Sequence, residues 1–314
     1  MIEIFLDCLP ISAIYFLGAL AFGLVWSTTR DGLFHLAMGG IFVLSAGVFN
    51  NMILRGIPVV PAIVVAVVTA MIVGIVIEGG VYRILRHYEK PSEMYLLASF
   101  GALIVIERTT RAFLGAMPLY LPSHEKIDVP ITILGSHFSG EQLTAIACAI
   151  TICMISSMLF VGRSGQQLSA IRQSSVLYDW RIGSSSVCLT VVACCSSAVV
   201  ALAAVLFHLQ HRVVIEQAAM GFFVPSFITV LAAGGTSKCV FSIIAVKDIS
   251  PAVERMATPL MYGLTAIAVS FTESMVTIKL EPTWKDSALL ILAIAVLLMG
   301  RRHRITHRVN GGKQ

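Results

Sequence analysis

The chain has 314 residues, of which 57% are hydrophobic and only 12% are charged, and its formal net charge is +5. A soluble domain carries about 25% charged residues, so this composition excludes an ordinary soluble protein. Unbroken apolar runs of about 20 residues recur along the chain, which is the length that crosses a hydrocarbon layer of about 30 Å. The basic residues lie in short loops and at the C-terminal end, which indicates contact with the lipid bilayer and no nucleic-acid partner.

The predicted fold is an all-α, polytopic bundle of about nine transmembrane helices in one domain, residues 1–314. The approximate bounds of the helices are 8–27, 33–54, 58–80, 94–115, 142–162, 184–208, 218–234, 257–278 and 286–300. If the connecting segments alternate from an N-terminus outside, about three times as many Lys and Arg residues lie inside as outside. This bias predicts a multi-pass protein with an odd number of spans, its N-terminus outside and its C-terminus inside. The first helix is expected to be retained, because Glu3 and Asp7 replace the positive charge that begins a cleavable signal peptide. The resemblance described below implies that the membrane is a bacterial inner (plasma) membrane and that the C-terminus is cytoplasmic.

Two connecting segments differ from the rest in length or charge. Residues 115–141 form the longest predicted periplasmic loop, in which apolar and other residues alternate from Ile127 to Ile133. This alternation predicts a short strand or hairpin, and the loop is too small to be a solute-binding domain. Residues 301–314 form a predicted basic cytoplasmic tail.

A helix that contains paired glycines is the first candidate for a substrate pathway. His35 and Met38 precede Gly39 and Gly40 in the second predicted helix. Paired glycines let a helix break and expose backbone groups to a solute. They also let two helices pack closely, and the residues alone leave both readings open.

A second pair, Gly234 and Gly235, has a related position in the chain. Gly39 is separated from Glu78 by the same number of residues that separates Gly234 from Glu273. In both cases a glycine pair therefore precedes a helix with a glutamate. The matched spacing raises the hypothesis of two re-entrant segments related by an inverted repeat, an arrangement found in many transporters.

The fourth predicted helix carries three charged residues, Glu107, Arg108 and Arg111. A charged group at the centre of a bilayer costs about 2.5–3.5 kcal/mol, so such groups pair with one another or line water. Glu107 and Arg111 are four residues apart, in the favourable order for an ion pair. The group is either a polar lining near the outer mouth of a pathway or an ion pair that reaches the outer surface.

Residues 164–183 form a predicted amphipathic helix region on the cytoplasmic side. Leu168, Ile171 and Tyr178 fall on one helical face, and polar residues occupy much of the rest. A helix of this kind either anchors the chain at the membrane surface or docks a soluble partner.

Motifs for catalysis and for metal binding are missing from the sequence. There is no G-x-x-x-x-G-K-[ST] pattern, so ATP hydrolysis by this chain alone is not expected. The seven cysteines show no metal or redox spacing, and His208 and His211 have no apparent third ligand. We therefore predict a protein that is not an enzyme and has neither a metal nor a cofactor of its own.

The order of several short motifs resembles the branched-chain amino acid permeases of ABC importers, the LivH-type subunit. These motifs are Gly32 to Gly39; Glu78, Tyr82, Arg83 and Arg86; residues 163–173 with Gly183; and residues 230–237. The resemblance runs over nearly the whole chain. It implies a permease subunit that forms half of the pathway for branched-chain amino acids or related small solutes.

The same resemblance implies a set of partners and site residues. The partners are a second permease subunit, two cytoplasmic ATP-binding subunits and a periplasmic solute-binding protein. The residues expected to dock the ATP-binding subunits are Gly165, Ala170, Arg172, Tyr178 and Gly183. The residues expected in the substrate pathway are His35, Met38, Gly39, Gly40, Glu107, Gly234 and Gly235. The alternative is an ATP-independent channel or secondary transporter, with Glu78, Glu107 or Glu273 as a proton or ion site.

Overall fold

The structure is a computed structural model that describes residues 2–28, 35–88, 91–115, 118–121, 131–133, 136–174, 178–179, 183–214, 218–243 and 251–280, with parts of 284–294. The helices are α1 (Ile2–Asp7), α2 (Leu9–Thr28), α3 (Ala37–Leu54), α4 (Val59–Ile77), a π-helix (Glu78–Tyr82), α5 (Arg83–His87), α6 (Ser92–Leu114), α7 (Gly140–Val161), α8 (Arg163–Gln173), α9 (Ser185–His211), α10 (Ala218–Ile243) and α11 (Pro251–Leu280). The strands are β1 (Leu119–Tyr120), β2 (Ile131–Ile133), β3 (Ser136–Phe138) and β4 (Val213–Val214).

The predicted all-α membrane protein is confirmed. Six helical segments of the described residues are long and apolar enough to cross a membrane: Ile4–Thr28, Ala37–Leu54, Val59–His87, Gly140–Val161, Ser185–His211 and Thr258–Lys279. The predicted number of nine is not confirmed. Helices α6 and α10 occupy two further predicted spans, but α6 is too polar to meet the same criterion, and the apolar segment Gly221–Ala233 of α10 is too short to meet it. Most of the ninth predicted span, 286–300, lies outside the described residues.

Small residues let α4 pack closely against α9. Ala62, Ala66, Ala70 and Gly74 recur at four-residue intervals along one buried face of α4. A methyl group at Gly74 would collide with the side chain of Ser197 on α9. Helices in a membrane gain little from hydrophobic burial, so van der Waals contact between closely spaced backbones holds this pair together.

Polar contacts join the helix ends on one side of the bundle. His208 Nε2 lies 3.0 Å from Asn50 Oδ1, and Arg212 forms an ion pair with Glu141. Strands β1 and β4 pair antiparallel, which connects the segment after α6 to the segment after α9. The ends of α3 and α9 and the start of α7 therefore lie together, at what we call the Asn50 end.

The opposite side of the bundle is called the α8 end. There α8 packs against α2 and α7. Arg83 of α5 lies beside Ser184 and Thr190, at the start of α9, in a shallow groove of about 210 Å³. The rings of Tyr82 and Tyr95 stack with centroids 6.4 Å apart, which brings the end of the π-helix to the start of α6.

The predicted hairpin lies in the segment between α6 and α7. Strands β2 and β3 pair antiparallel, with Ile131 opposite Phe138 and Ile133 opposite Ser136. This confirms a hairpin within the 115–141 loop, although Ile127 and the rest of 122–130 lie outside the described residues.

Candidate functional site

Helix α3 begins inside the bundle rather than at its surface. The Ala37 amide donates a hydrogen bond of 3.1 Å to Ser99 Oγ, and Ser99 is seven residues beyond the first residue of α6. Seven residues of α-helix rise about 10 Å. Gly40 lies next to Leu103, and Gly47 lies next to Leu114, so the two helices run in parallel. The first turn of α3 is therefore about 10 Å deeper than the start of α6.

Helix α10 begins beside the start of α3. A Cβ atom at Gly39 would lie 3.5 Å from the Ala219 Cβ, and the rings of Phe42 and Phe222 stack with centroids 4.1 Å apart. Helix α9, which precedes α10, ends beside Asn50. Asn50 is eleven residues from Gly39, or about 16 Å along α3. The start of α10 therefore lies about 16 Å further from the Asn50 end than the end of α9 does.

The two helices leave this shared centre in opposite directions. Helix α3 runs towards the Asn50 end. Helix α10 is joined to α11 by residues 244–250 alone, and the Thr265 hydroxyl of α11 lies 3.3 Å from the Thr229 carbonyl oxygen of α10. Helix α11 starts at the α8 end, where Tyr262 contacts Gly23. Because α10 is antiparallel to α11, it runs from the centre towards the α8 end.

The first turns of these two helices have related sequences. Helix α3 begins Ala-Met-Gly-Gly-Ile-Phe-Val-Leu-Ser, and α10 begins Ala-Ala-Met-Gly-Phe-Phe-Val-Pro-Ser. The Ala, Gly, Phe, Val and Ser at the first, fourth, sixth, seventh and ninth positions are shared. In this alignment Gly40 corresponds to Gly221, whereas the sequence prediction paired Gly39 and Gly40 with Gly234 and Gly235. Neither predicted glycine pair interrupts its helix, because α3 and α10 are continuous through them.

A buried polar cluster lies beside the start of α3. We call it the Glu78 cluster, and its members are His35, Glu78, Tyr82, Arg86, Tyr95 and Ser99. Glu78 is 6% exposed and forms an ion pair with Arg86. The His35 ring packs edge-on against the Tyr82 ring with centroids 4.8 Å apart. The Tyr82 ring also stacks on the ring of Tyr95. The cluster therefore joins the π-helix, α5 and α6 to the segment that enters α3.

The π-helix is what places Glu78 and Arg86 on one face. The two residues are eight positions apart, and in a regular α-helix this separation would turn them about 80° away from each other. A π-turn accommodates one extra residue, so Arg86 takes the position that the seventh residue would have in an α-helix. Residues seven apart share a helical face. Single π-turns are frequent at functional sites, so this one marks the cluster as a candidate.

Two buried polar atoms in the cluster have no hydrogen-bond partner among the described residues, His35 Nδ1 and Tyr82 Oη. Both side chains are more than nine-tenths buried. An unpaired buried polar group costs about 1–3 kcal/mol. A water molecule or a solute group that reached either of these atoms would therefore gain a hydrogen bond.

The structure brings only part of the predicted pathway together. His35, Met38, Gly39 and Gly40 are all buried at the start of α3. A Cβ atom at Gly40 would lie 3.0 Å from the Ile106 Cβ of α6, so close helix packing accounts for this glycine. Of the two readings of the first glycine pair, packing is thus the one that the contacts of Gly40 support.

The other predicted pathway residues lie at a distance from His35. Glu107 is half-buried on α6, twelve residues or about 18 Å beyond Tyr95. Gly234 and Gly235 lie inside α10, about 24 Å along the helix from Ala218, and their surroundings are outside the described residues. One small solute could not contact all of these residues at the same time.

The predicted docking residues divide into two groups. Gly165 and Tyr178 are buried within the chain, and a methyl group at Gly165 would collide with the backbone at the end of α7. Ala170 is half-buried, and Arg172 and Gly183 are exposed. The first two residues hold α8 against the bundle, and the last three are accessible to a partner.

Sequence reasoning did not identify Tyr95, Ser99 or Gly221 as site residues. Tyr95 and Ser99 lie four residues apart on the buried face of α6, but a tyrosine and a serine in an apolar helix have no distinctive pattern. Gly221 has a recognisable signal, since direct alignment of the two segments pairs it with Gly40.

No family model, no curated protein and no solved structure matches the chain. In the part of the chain that the structure describes, no group of three or more His, Cys, Asp or Glu residues could hold a metal ion. The function is therefore argued from the geometry of the bundle and from the sequence motifs.

Proposed function

We propose that the chain is the permease subunit of an ABC importer and forms half of the pathway for branched-chain amino acids or related small solutes. The observation that carries the proposal is the pair of helix starts inside the bundle, from which α3 and α10 run in opposite directions. Transporters built from inverted repeats have discontinuous helices at the bilayer midplane, where helix ends and free backbone groups contact the solute. We interpret α3 and α10 as corresponding helices of such a repeat, in an inner-membrane protein of nine spans with its N-terminus outside.

The position of α8 supports coupling to separate ATP-binding subunits. Its Leu168 and Ile171 are buried, and Arg172 is exposed at the same end of the bundle as α5. Helix α8 thus covers the end of the bundle with its apolar face and presents its polar face outwards. A soluble subunit that docks on this polar face would transmit its movement to α2 and α7, against which α8 packs.

Purification of the chain from native membranes in a mild detergent tests the proposal. We expect a second membrane subunit and an ATPase with a Walker motif to be recovered with it. We expect Arg172→Glu on α8 to reduce recovery of the ATPase, whereas Arg55→Glu, an exposed arginine at the Asn50 end, should leave it unchanged. Recovery of the chain alone, in a detergent that preserves a known ABC complex, would contradict the proposal.

A second candidate function is ATP-independent transport by this chain alone. Two observations favour it. The buried Glu78 forms an ion pair with the half-buried Arg86, and the buried Glu273 accepts a hydrogen bond of 2.7 Å from the Tyr15 hydroxyl. Carboxylates inside a membrane bundle are often proton or ion sites. The two glutamates lie at different depths, one beside the start of α3 and the other towards the end of α11.

Reconstitution of the purified chain into liposomes separates the two functions. An importer subunit should take up no leucine when only a pH gradient is imposed. Uptake that depends on the gradient and disappears in Glu273→Gln would instead establish the second candidate. Thr272→Val, at the adjacent half-buried position of the same turn, is the matched control for damage to α11.

A further inference from the structure

The shallow groove between α5 and the start of α9 has no part in the proposed transport. Its volume is about 210 Å³, and its lining residues are Arg83, Ser184, Ser186, Val187, Thr190 and Val191. Among the described residues, the lining thus consists of one cation, three hydroxyl groups and two apolar side chains, without a carboxylate. The groove opens to the outside of the bundle, since Arg83, Val187 and Val191 are all exposed.

The polar and apolar parts of this groove lie at different depths in the membrane. Arg83 belongs to the continuous helical segment Val59–His87, about 36 Å along it from its first residue. The hydrocarbon layer is about 30 Å thick, so Arg83 reaches the level of the lipid headgroups. Helix α9 begins at the same end and runs into the membrane, with Val187 about 3 Å and Val191 about 9 Å from its start. The two valines therefore lie deeper than the arginine.

Arg83 is the group of the groove that lacks a counter-charge. It forms no ion pair within the described part of the chain, whereas Arg86 on the same short helix pairs with Glu78. The Asp179 carboxylate is engaged at the start of α9, where it accepts hydrogen bonds from the backbone N–H and the hydroxyl of Ser185. A free guanidinium at headgroup level attracts phosphate, whose oxygens accept hydrogen bonds from its N–H groups.

Two hydroxyl groups supply further donors beside Arg83. The Thr190 hydroxyl donates a hydrogen bond of 2.9 Å to the Ser186 carbonyl oxygen, so its hydrogen is used within α9. The hydroxyls of Ser184 and Ser186 form no hydrogen bond with the described residues. An anion in the groove would therefore meet one guanidinium group and two hydroxyl donors.

We propose that this groove binds an anionic phospholipid from the membrane leaflet at the α8 end. The lipid phosphate lies against Arg83 and the hydroxyls of Ser184 and Ser186, and an acyl chain follows Val187 and Val191 into the hydrocarbon layer. The two valines are four residues apart and share one face of α9. Basic pockets between transmembrane helices bind lipid headgroups through the same interactions. A soluble phosphate compound would leave the valines uncovered, so the lining fits a lipid better.

Titration of the delipidated, purified full chain with lipid tests the inference. Bound lipid is counted by native mass spectrometry, with phosphatidylglycerol as the anionic lipid and phosphatidylcholine, whose headgroup has no net charge, for comparison. We expect the chain to bind phosphatidylglycerol more tightly. Arg83→Gln should weaken that binding by about fivefold, which corresponds to about 1 kcal/mol. Arg83→Lys should retain most of it, because the positive charge remains.

Arg163→Gln is the matched control, since Arg163 is an exposed arginine at the start of α8, at the same end of the bundle. It should leave the affinity for phosphatidylglycerol unchanged. An equal loss in Arg83→Gln and Arg163→Gln would overturn the inference, because it would indicate general attraction between anionic lipid and a basic surface. Equal affinity of the wild-type chain and Arg83→Gln would overturn it as well.

An independent variant guards against a folding defect in Arg83→Gln. The melting temperature in phosphatidylcholine measures folding, and we expect it to be unchanged because Arg83 is exposed and unpaired within the described residues. Ser186→Ala removes one hydroxyl from the groove and should weaken phosphatidylglycerol binding by about twofold, in line with the loss of one modest hydrogen bond. Unchanged binding in a folded Ser186→Ala variant would contradict the proposed position of the phosphate.

Glycerol phosphate, which has a phosphate group but no acyl chain, separates a lipid from a soluble phosphate compound. We expect it not to displace phosphatidylglycerol at equal concentration, because it gains nothing from Val187 and Val191. Displacement at equal concentration would show that the groove binds phosphate alone, and the lipid assignment would be wrong. These measurements involve neither an ATPase nor a transported solute, so their outcome is independent of the importer proposal.

Discussion

Helices α4 and α6 both pack against α3, yet they differ in their other packing partners and in the residues of their exposed faces. Helix α4 has a second partner, α9, which it contacts through a row of Ala and Gly residues. Its exposed face between Val60 and Val76 consists mainly of Val and Ile, and no residue between them is charged. Helix α6 has no second extensive partner among the described helices, and its exposed face includes Gly101 and Arg108.

The difference shows that exposure alone does not identify the surface that faces lipid. The exposed face of α4 suits hydrocarbon, because branched apolar side chains cover it without interruption. The exposed face of α6 combines apolar side chains with a charge and a gap, which is typical of helix–helix contact in membranes. Charge is also placed differently, since the segment after α4 pairs the buried Glu78 with Arg86, which is about one-third exposed, whereas Arg108 of α6 is exposed.

The largest expected effect comes from filling the contact between α4 and α9. Gly74→Leu should lower the free energy of unfolding by about 3 kcal/mol, because the new side chain has to push Ser197 and α9 away. Gly101→Leu, the same change on the exposed face of α6, should leave the melting temperature of the detergent-purified chain nearly unchanged. Equal melting temperatures for the two variants would mean that α4 and α9 are not in close contact.

The second largest effect is expected from the Glu78–Arg86 ion pair, in comparison with Arg108 of α6. Removing one partner of a fully buried ion pair costs about 3–5 kcal/mol, and since Arg86 is about one-third exposed we expect Arg86→Met to cost about 2 kcal/mol. The double variant Glu78→Gln with Arg86→Met should recover part of this loss. Arg108→Met on α6 should not destabilise the isolated chain. Thermal unfolding monitored by circular dichroism measures all three, and a loss in Arg108→Met equal to that in Arg86→Met would remove the distinction.

The smallest effect comes from one hydrogen bond between α3 and α6. Ser99→Ala removes the acceptor of the Ala37 amide and should cost about 1 kcal/mol. Thr109→Ala, on the exposed face of α6, should cost only a few tenths of this value. Hydrogen exchange of the Ala37 amide provides a direct readout, which should become faster in Ser99→Ala alone. Unaltered exchange would argue against this contact at the start of α3.

Several features of the fold and of the candidate site could be predicted because they depend on neighbouring residues in the chain. The hairpin at 131–138 followed from alternation, and the apolar face of α8 followed from the spacing of Leu168 and Ile171. The prediction put His35 inside a helix from 33 to 54, whereas α3 begins at Ala37 and His35 lies just before it. The exposed or buried state of the docking residues could not be predicted, since Tyr178 is buried by residues of α8 and α9.

Local spacing was misleading where the relevant neighbour is remote in sequence. The equal separations of the two glycine–glutamate pairs directed attention to Gly234, whereas the residue that aligns with Gly40 is Gly221. The ion pair of Glu78 and Arg86 requires the extra residue of a π-turn. The pattern of side chains in the sequence does not indicate such a turn. The depth at which α3 begins became visible only from its contact with Ser99.

The sequence by itself determined that the chain is embedded in a membrane, and it determined the approximate bounds of the helices. Both follow from the free energy of transferring apolar side chains out of water, which each segment has independently of the others. Tertiary structure decided where α3 and α10 begin, which glycines pack closely and which faces stay uncovered. These features depend on the depth and direction at which distant helices meet. In a membrane that depth is set by packing between helices, because hydrophobicity does not distinguish one apolar neighbour from another.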